Sequence, residues 1–199
     1  MTTLSTQFNE AIAGFDAANS EDPNKDKFAG KEYPKELLYA QRMTAWLEKY
    51  QPDASETLRL ATRAQHICRW KIPRSDYAMD RDGYNKWRTT LAKMHGDIAA
   101  EIMAQVGYDT QVCEQVKTLL LKDRIKLAGQ DGQALEDVIC LVFLEFYFVP
   151  FAPHYSDQKL TSIVRKTWRK MSERAHQTAL TLAPTFPAKL LEIVKQAIA

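Results

Sequence analysis

The stretch Arg59 to Gly107 reads RLATRAQHICRWKIPRSDYAMDRDGYNKWRTTLAKMHGDIAAEIMAQVG. Its second half sets the fold class. From about Tyr84 to Val106, the residues Trp87, Leu91, His95, Ile98 and Ile102 recur at i, i+4, i+8, i+11 and i+15, which is a helix with one apolar face. His95 sits mid-face and should point inward. In the first half, Ser55 caps a helix that Pro73 stops. Leu60, Ala61, Ala64, Ile67 and Cys68 form its apolar arc, while Arg59, Arg63, His66 and Trp70 line the flank. Pro73 to Gly83 is a turn-rich connection without periodicity.

Outward from this stretch the same helical spacing continues. Ser5 caps a helix carrying Phe8, Ile12 and Phe15, ending in the polar run Asn19 to Lys27. Lys35 to Tyr50 is a second helix, with Leu38, Arg42, Ala45 and Trp46 at helical spacing. After the Gly107-Tyr108 stop, Val112 to Leu127 predicts a further helix through Val112, Val116, Leu119, Leu120 and Leu127. Gln133 to Val149 is apolar nearly all round and reads as a central helix. Lys159 to Leu182 and Pro187 to Ala199 complete an all-α chain in which no strand is expected. The expected organisation is one helical domain over residues 1–199, its core about 35–182, with the first and last helices peripheral.

Length and composition agree with that reading. The chain has 199 residues, 45% of them apolar, with only seven Gly and eight Pro, enough for one buried core and too few breakers for linkers. The N-terminus MTTLSTQFNEAIAGF has no basic region followed by an apolar run, so it does not read as a signal peptide. Val138 to Val149, interrupted by Glu145, is well short of the ~20 residues needed to cross a bilayer. Cys68, Cys113 and Cys140 are far apart without a CxxC, as expected of reduced, buried thiols in a cytoplasmic protein.

Charge is concentrated where the histidines are. From Arg59 to His95 there are nine Lys or Arg against three Asp, a net of +6, whereas the whole chain carries +2, so the rest sums to −4. Such a face is expected to receive an anion. Arg63, Arg69, Arg74, Arg81 and Arg88 offer planar forks for phosphate or carboxylate, and Tyr77 and Tyr84 would wall the site. The plainer account is a solvated face paired with Asp76, Asp80 and Asp82.

His66, His95 and Asp137 are the candidate metal ligands, because imidazole nitrogens and a carboxylate suit a divalent ion such as Mn, Fe or Zn. Against this stand two bland roles, a hydrogen-bonded core histidine and a helix N-terminal acid, the latter open to Glu136 as well. Lys170-Met171-Ser172 faintly suggests a nucleotide-binding signature of class I aminoacyl-tRNA synthetases, but that signature needs a parallel α/β fold, so it is set aside.

RAQHICRW, IPRSDY, DRDGYNKWR, the Gly107-Tyr108-Asp109 turn, LEDVICLVFLE and KTWRKMS, with FDAANSEDPN and LLYAQRMTAWL, resemble the uncharacterised family named domain of unknown function 4202 over nearly the whole chain. More remotely, His66, His95 and Asp137 fall in an order similar to the HD-domain superfamily of helical metal-dependent phosphohydrolases. That resemblance implies an HD-like bundle with a metal centre. The chain departs from it in lacking an adjacent His-Asp pair, since Asp97 lies two residues after His95, roughly 200° around the helix.

The functional expectation is a metal-dependent phosphohydrolase acting on a small phosphorylated metabolite or nucleotide. His66, His95 and Asp137 would hold the ion, Arg63, Arg69, Arg74 and Arg88 would clamp the phosphate, and Glu136 would act as base. The alternative is a non-catalytic anion-, nucleotide- or RNA-binding protein with a degenerate HD-like site.

Overall fold

The structure is a computed structural model that describes residues 5–121 and 129–199. It is mainly α-helical, with ten α-helices and one short hairpin among the described residues. Two compact units divide the chain, Met1–Gly132 and Gln133–Ala199.

In the first unit, α1 (Thr6–Ser20) starts where the Ser5 hydroxyl accepts from Phe8 N. α2 (Lys35–Tyr50) and α3 (Glu56–Arg63) follow, the latter capped by Ser55, whose hydroxyl accepts from Leu58 N. α4 (Arg81–Gln105) is capped by Asp80, and α5 (Thr110–Leu121) packs along it. Each such cap satisfies an orphan N–H and stabilises its helix by about 1 kcal/mol. Phe15, Met43, Leu47, Leu58, Leu60, Ile67, Met103 and Leu120 are among the fully buried side chains. Each contributes roughly 1.5–3 kcal/mol of apolar burial. Gly96 lets α5 approach, since a Cβ there would press on Lys117 at 2.8 Å.

Two expectations fail in this unit. A hairpin occupies the segment read as strand-free: β1 (Lys25–Phe28) pairs antiparallel with β2 (Lys31–Pro34). Ala29 and Gly30, at φ of 49° and 77°, supply the left-handed turn whose twist matches the strands. The helix expected to run to Pro73 stops at Arg63. Beyond it the chain turns, Cys68 adopts φ 54°, and two short 3-10 turns cover Arg69–Lys71 and Arg74–Asp76. The cause is tertiary, because the buried Asn19 side chain accepts from Cys68 N at 3.0 Å and holds the break open. The part of the fifth predicted helix beyond Leu121, Leu127 included, lies outside the described residues.

The second unit holds most of α6 (Gln130–Val142), which passes into a π-helical turn (Phe143–Tyr147) and then α7 (Phe148–Phe151). The continuous central helix is thus widened at Phe143 before Pro150. α8 (Asp157–Trp168) and α9 (Glu173–Leu182) replace the single helix expected over Lys159 to Leu182. Ser172 caps α9, and Lys170 lies in the intervening turn rather than in a helix. α10 (Ala188–Ile198) packs on α8, where Arg165 donates to the carbonyls of Gln196 and Ala197. Leu135, Leu141, Phe148 and Leu160 are buried. Among the described residues no helix is long and apolar enough to cross a membrane. All three cysteines are buried and free, as expected.

Candidate functional site

The first unit gathers a polar cluster from α2, the α3–α4 connection and α4. Its foundation is the start of α2. Pro34 provides no side-chain cap, and the deeply buried Asp22 substitutes: its Oδ2 accepts from Glu36 N at 3.0 Å, while Oδ1 accepts from Asn24 N and Nδ2. This places Glu36 in the first turn of α2 with its side chain buried, 6% exposed, and Tyr39 three residues on. Burial pushes the Glu36 carboxyl up to about 7, against the pull of Arg69 and Lys35.

His66 stacks on Tyr39, ring centroids 4.1 Å apart and planes 14° from parallel. Its Nδ1 is 3.3 Å from Glu36 Oε2 and its Nε2 is 3.2 Å from Arg69 Nη1. A guanidinium can only donate, so Nε2 accepts and, in the neutral ring, Nδ1 carries the proton on the side facing Glu36. Both contacts agree on one neutral tautomer. The result is a polarised chain, Arg69 to His66 to Glu36.

His95 is 4% exposed, and its ring centroid lies 6.0 Å from that of His66. The Ile67 carbonyl, aimed by the turn at Cys68, accepts from His95 Nδ1 at 2.7 Å. Nε2 therefore holds a lone pair, and it is buried without a hydrogen-bond partner among the described residues. Burial foremost lowers the imidazole to about 3. It is neutral at any ordinary pH.

Arg69 lies over the Trp87 ring at 4.7 Å, and Trp87 Nε1 is itself anchored on the Ile72 carbonyl at 2.9 Å. The Arg69 guanidinium makes one hydrogen bond, to His66, and no ion pair with a carboxylate among the described residues. Arg88, in contact with the Tyr84 hydroxyl at 3.4 Å, likewise has no carboxylate partner among them. Burial lowers the Arg69 pKa, and Glu36 partly restores it. The cluster thus carries more positive charge than its one carboxyl can balance.

The remaining predicted anion ligands divide. Tyr84 is exposed, its ring 5.9 Å from Trp87, and Arg81 is exposed at the head of α4. Arg74 lies near the Trp87 and Tyr84 rings, at 5.9 and 6.0 Å, but donates to the carbonyls of Tyr77, Ala78 and Asp80. It braces the loop before α4, and Tyr77 serves there through its backbone. Arg63 is buried, with its fork closed on both Asp16 oxygens at 2.7 and 2.6 Å and its Nη1 on Thr44. Its donors tie α1, α2 and α3 together.

The predicted metal set does not suit an ion. His66 uses both nitrogens within the protein and faces a guanidinium, which repels a cation. Asp137, in the second unit, has both oxygens engaged: Oδ1 accepts from Ser172 N and Gln133 Nε2, and Oδ2 from the Ser172 hydroxyl at 2.6 Å. It fixes the start of α9. Among the described residues no three His, Cys, Asp or Glu are placed to hold a metal. Of these three residues, His95 alone keeps a ring nitrogen without a partner among the described residues. Glu136, the predicted base, lies 3.9 Å from Lys170 Nζ in the second unit. Asp97, out of phase with His95, pairs with Lys93 and Lys117.

Glu36 and Tyr39 were not singled out from sequence. An acid in the first turn of a helix reads as a partner for the helix dipole, and no local signal distinguishes one that is buried.

No curated protein and no solved structure gives a match to the chain. A family model described as Domain of unknown function (DUF4202) matches residues 9–194, which takes in both units and every residue of the cluster. The chain belongs to that family.

Proposed function

We propose that Arg69 and Arg88, beside the Glu36–His66 pair, bind the phosphate of a small phosphorylated molecule, and that the chain is a metal-independent binding protein. The observation that carries this is Arg69. A half-buried guanidinium lying over Trp87, with a neutral imidazole as its one hydrogen-bond partner and no carboxylate partner among the described residues, has donors to spare for an anion. The contact with Trp87 restricts the side chain, which lowers the ordering cost of a bidentate contact.

The HD-like phosphohydrolase reading draws support from the order of His66, His95 and Asp137, but their donors do not fit a metal, so no hydrolytic step is derived from them. Nucleotide or RNA binding would use the same Arg69 and Arg88.

Calorimetric titration with ethyl phosphate and pyrophosphate, in parent and Arg69→Gln, tests the reading. Binding in the parent and loss of at least roughly tenfold in the variant are expected, since an unmade charge-assisted bond costs about 1.5–3 kcal/mol. Absence of binding by the parent overturns the proposal. Turnover of phosphomonoesters that depends on added manganese would restore the hydrolase, and RNA binding with a steep salt slope would favour the nucleic-acid alternative.

A further inference from the structure

The His95 imidazole is unused by the anion contact just proposed, and it is the cluster's most constrained group. Its tautomer is set by Nδ1–H donating to Ile67 O at 2.7 Å, and that carbonyl is aimed by a non-glycine residue in the left-handed region, Cys68 at φ 54°. Cys68 N is tied in turn to Asn19. Such a conformation is strained for a residue with a Cβ and persists only when its surroundings impose it. Nε2 is thereby an acceptor alone, more than nine-tenths buried with its ring and without a partner among the described residues. A buried acceptor left unpaired is destabilising, so a donor brought to it is favoured.

A cation is a poor match for this atom, because the Arg69 guanidinium acts on His95 as a positive neighbour. A neutral O–H donor suits it. The groups beside it, His66 and Arg69, are themselves only partly buried, and the Arg69 bond to His66 is a neutral-acceptor contact that an incoming phosphate can replace.

We propose that His95 Nε2 accepts a hydrogen bond from an alcohol hydroxyl of the phosphorylated ligand, so that the site selects hydroxylated phosphate monoesters over their deoxy counterparts. This rests on the anion reading of Arg69 but fails separately from it. A site built to satisfy a hydroxyl rejects the analogue lacking it, because its own polar atom is then left unpaired.

The test is a matched series: 2-hydroxyethyl, 3-hydroxypropyl and 4-hydroxybutyl phosphate against ethyl, propyl and butyl phosphate, titrated into the parent and into His95→Phe. At least one hydroxylated member should bind the parent roughly tenfold or more tightly than its partner. In His95→Phe the preference should vanish while binding of the alkyl phosphates persists. Should that variant not fold, the parent labelled with 15N-histidine gives the answer directly. The His95 Nε2 resonance should move on adding the preferred hydroxylated compound and stay in place with its alkyl counterpart. Alkyl phosphates that bind with no hydroxylated member preferred, or an Nε2 resonance indifferent to both, overturn the proposal and leave His95 bonded to a water. No binding by any member overturns the Arg69 reading and this one with it.

Discussion

Replacing Glu36 with Gln removes a carboxyl that titrates at about 7 in the folded chain against an ordinary 4.5. Between these values the folded chain holds a proton that the unfolded chain has released, so stability falls as pH rises, and the full loss is present above about 7. The interval is equivalent to roughly 2–4 kcal/mol. His95 acts with the opposite sign. Its imidazole titrates at about 3 rather than 6.5, so the unfolded chain takes up the extra proton and stability rises with pH across that range. From 4.5 to 6.5 the two slopes oppose, and the parent is nearly flat with respect to this pair. Glu36→Gln keeps an oxygen to accept from His66 Nδ1 while leaving the His95 slope exposed. Urea unfolding of both proteins from about pH 5 to about pH 8 should show the variant gaining on the parent by roughly 2–4 kcal/mol as pH rises. A difference that does not change with pH would show that Glu36 titrates as an ordinary carboxylate, and the reasoning from burial would fail.

Other outcomes follow from single contacts. Gly83→Ala would set a Cβ on the Ala78 carbonyl; a loss of roughly 1–3 kcal/mol is expected, read as a lower denaturant midpoint. Asp137→Ala strips partners from Ser172 N and Gln133 and should cost roughly 2–4 kcal/mol, without altering affinity for ethyl phosphate. An affinity that falls with it would return Asp137 to the binding site. Arg63→Lys forfeits the two-pronged contact with Asp16 and should lower the melting temperature while leaving ethyl phosphate binding intact. If binding is what it impairs, Arg63 belongs to the anion contact after all.

Much of the fold was legible because it depends on local chemistry. Lys35–Tyr50 was bounded to the residue, and the caps Ser5 and Ser55 begin the helices they announce, since spacing of apolar residues and an N-terminal hydroxyl act within one turn. The inward position of His95 follows from the same periodicity, and the concentration of positive charge from simple counting. The hairpin was not legible: KDKF and KEYP present mostly charged, exposed side chains, and Ala29 is a poor advertisement for a left-handed turn. Nor was the stop at Arg63, because the apolar arc continues to Cys68 and the break is held by Asn19, which lies 49 residues from Cys68 in sequence.

The site divides along the same line. The sequence by itself determined which residue types were available: two histidines, a set of arginine forks and the aromatics between them. Only the tertiary structure decided which were free to act. Arg63 and Arg69 are equivalent in a list of cations, but Asp16 closes the fork of one, whereas the other lies over Trp87 without a carboxylate partner among the described residues. Asp137 is a plausible ligand until Ser172 takes both of its oxygens, and Glu36 is an unremarked first-turn acid until burial moves its titration. The physical reason is that a side chain's type sets what bonds it can make, whereas burial and partners from distant segments set which of those bonds remain to be made.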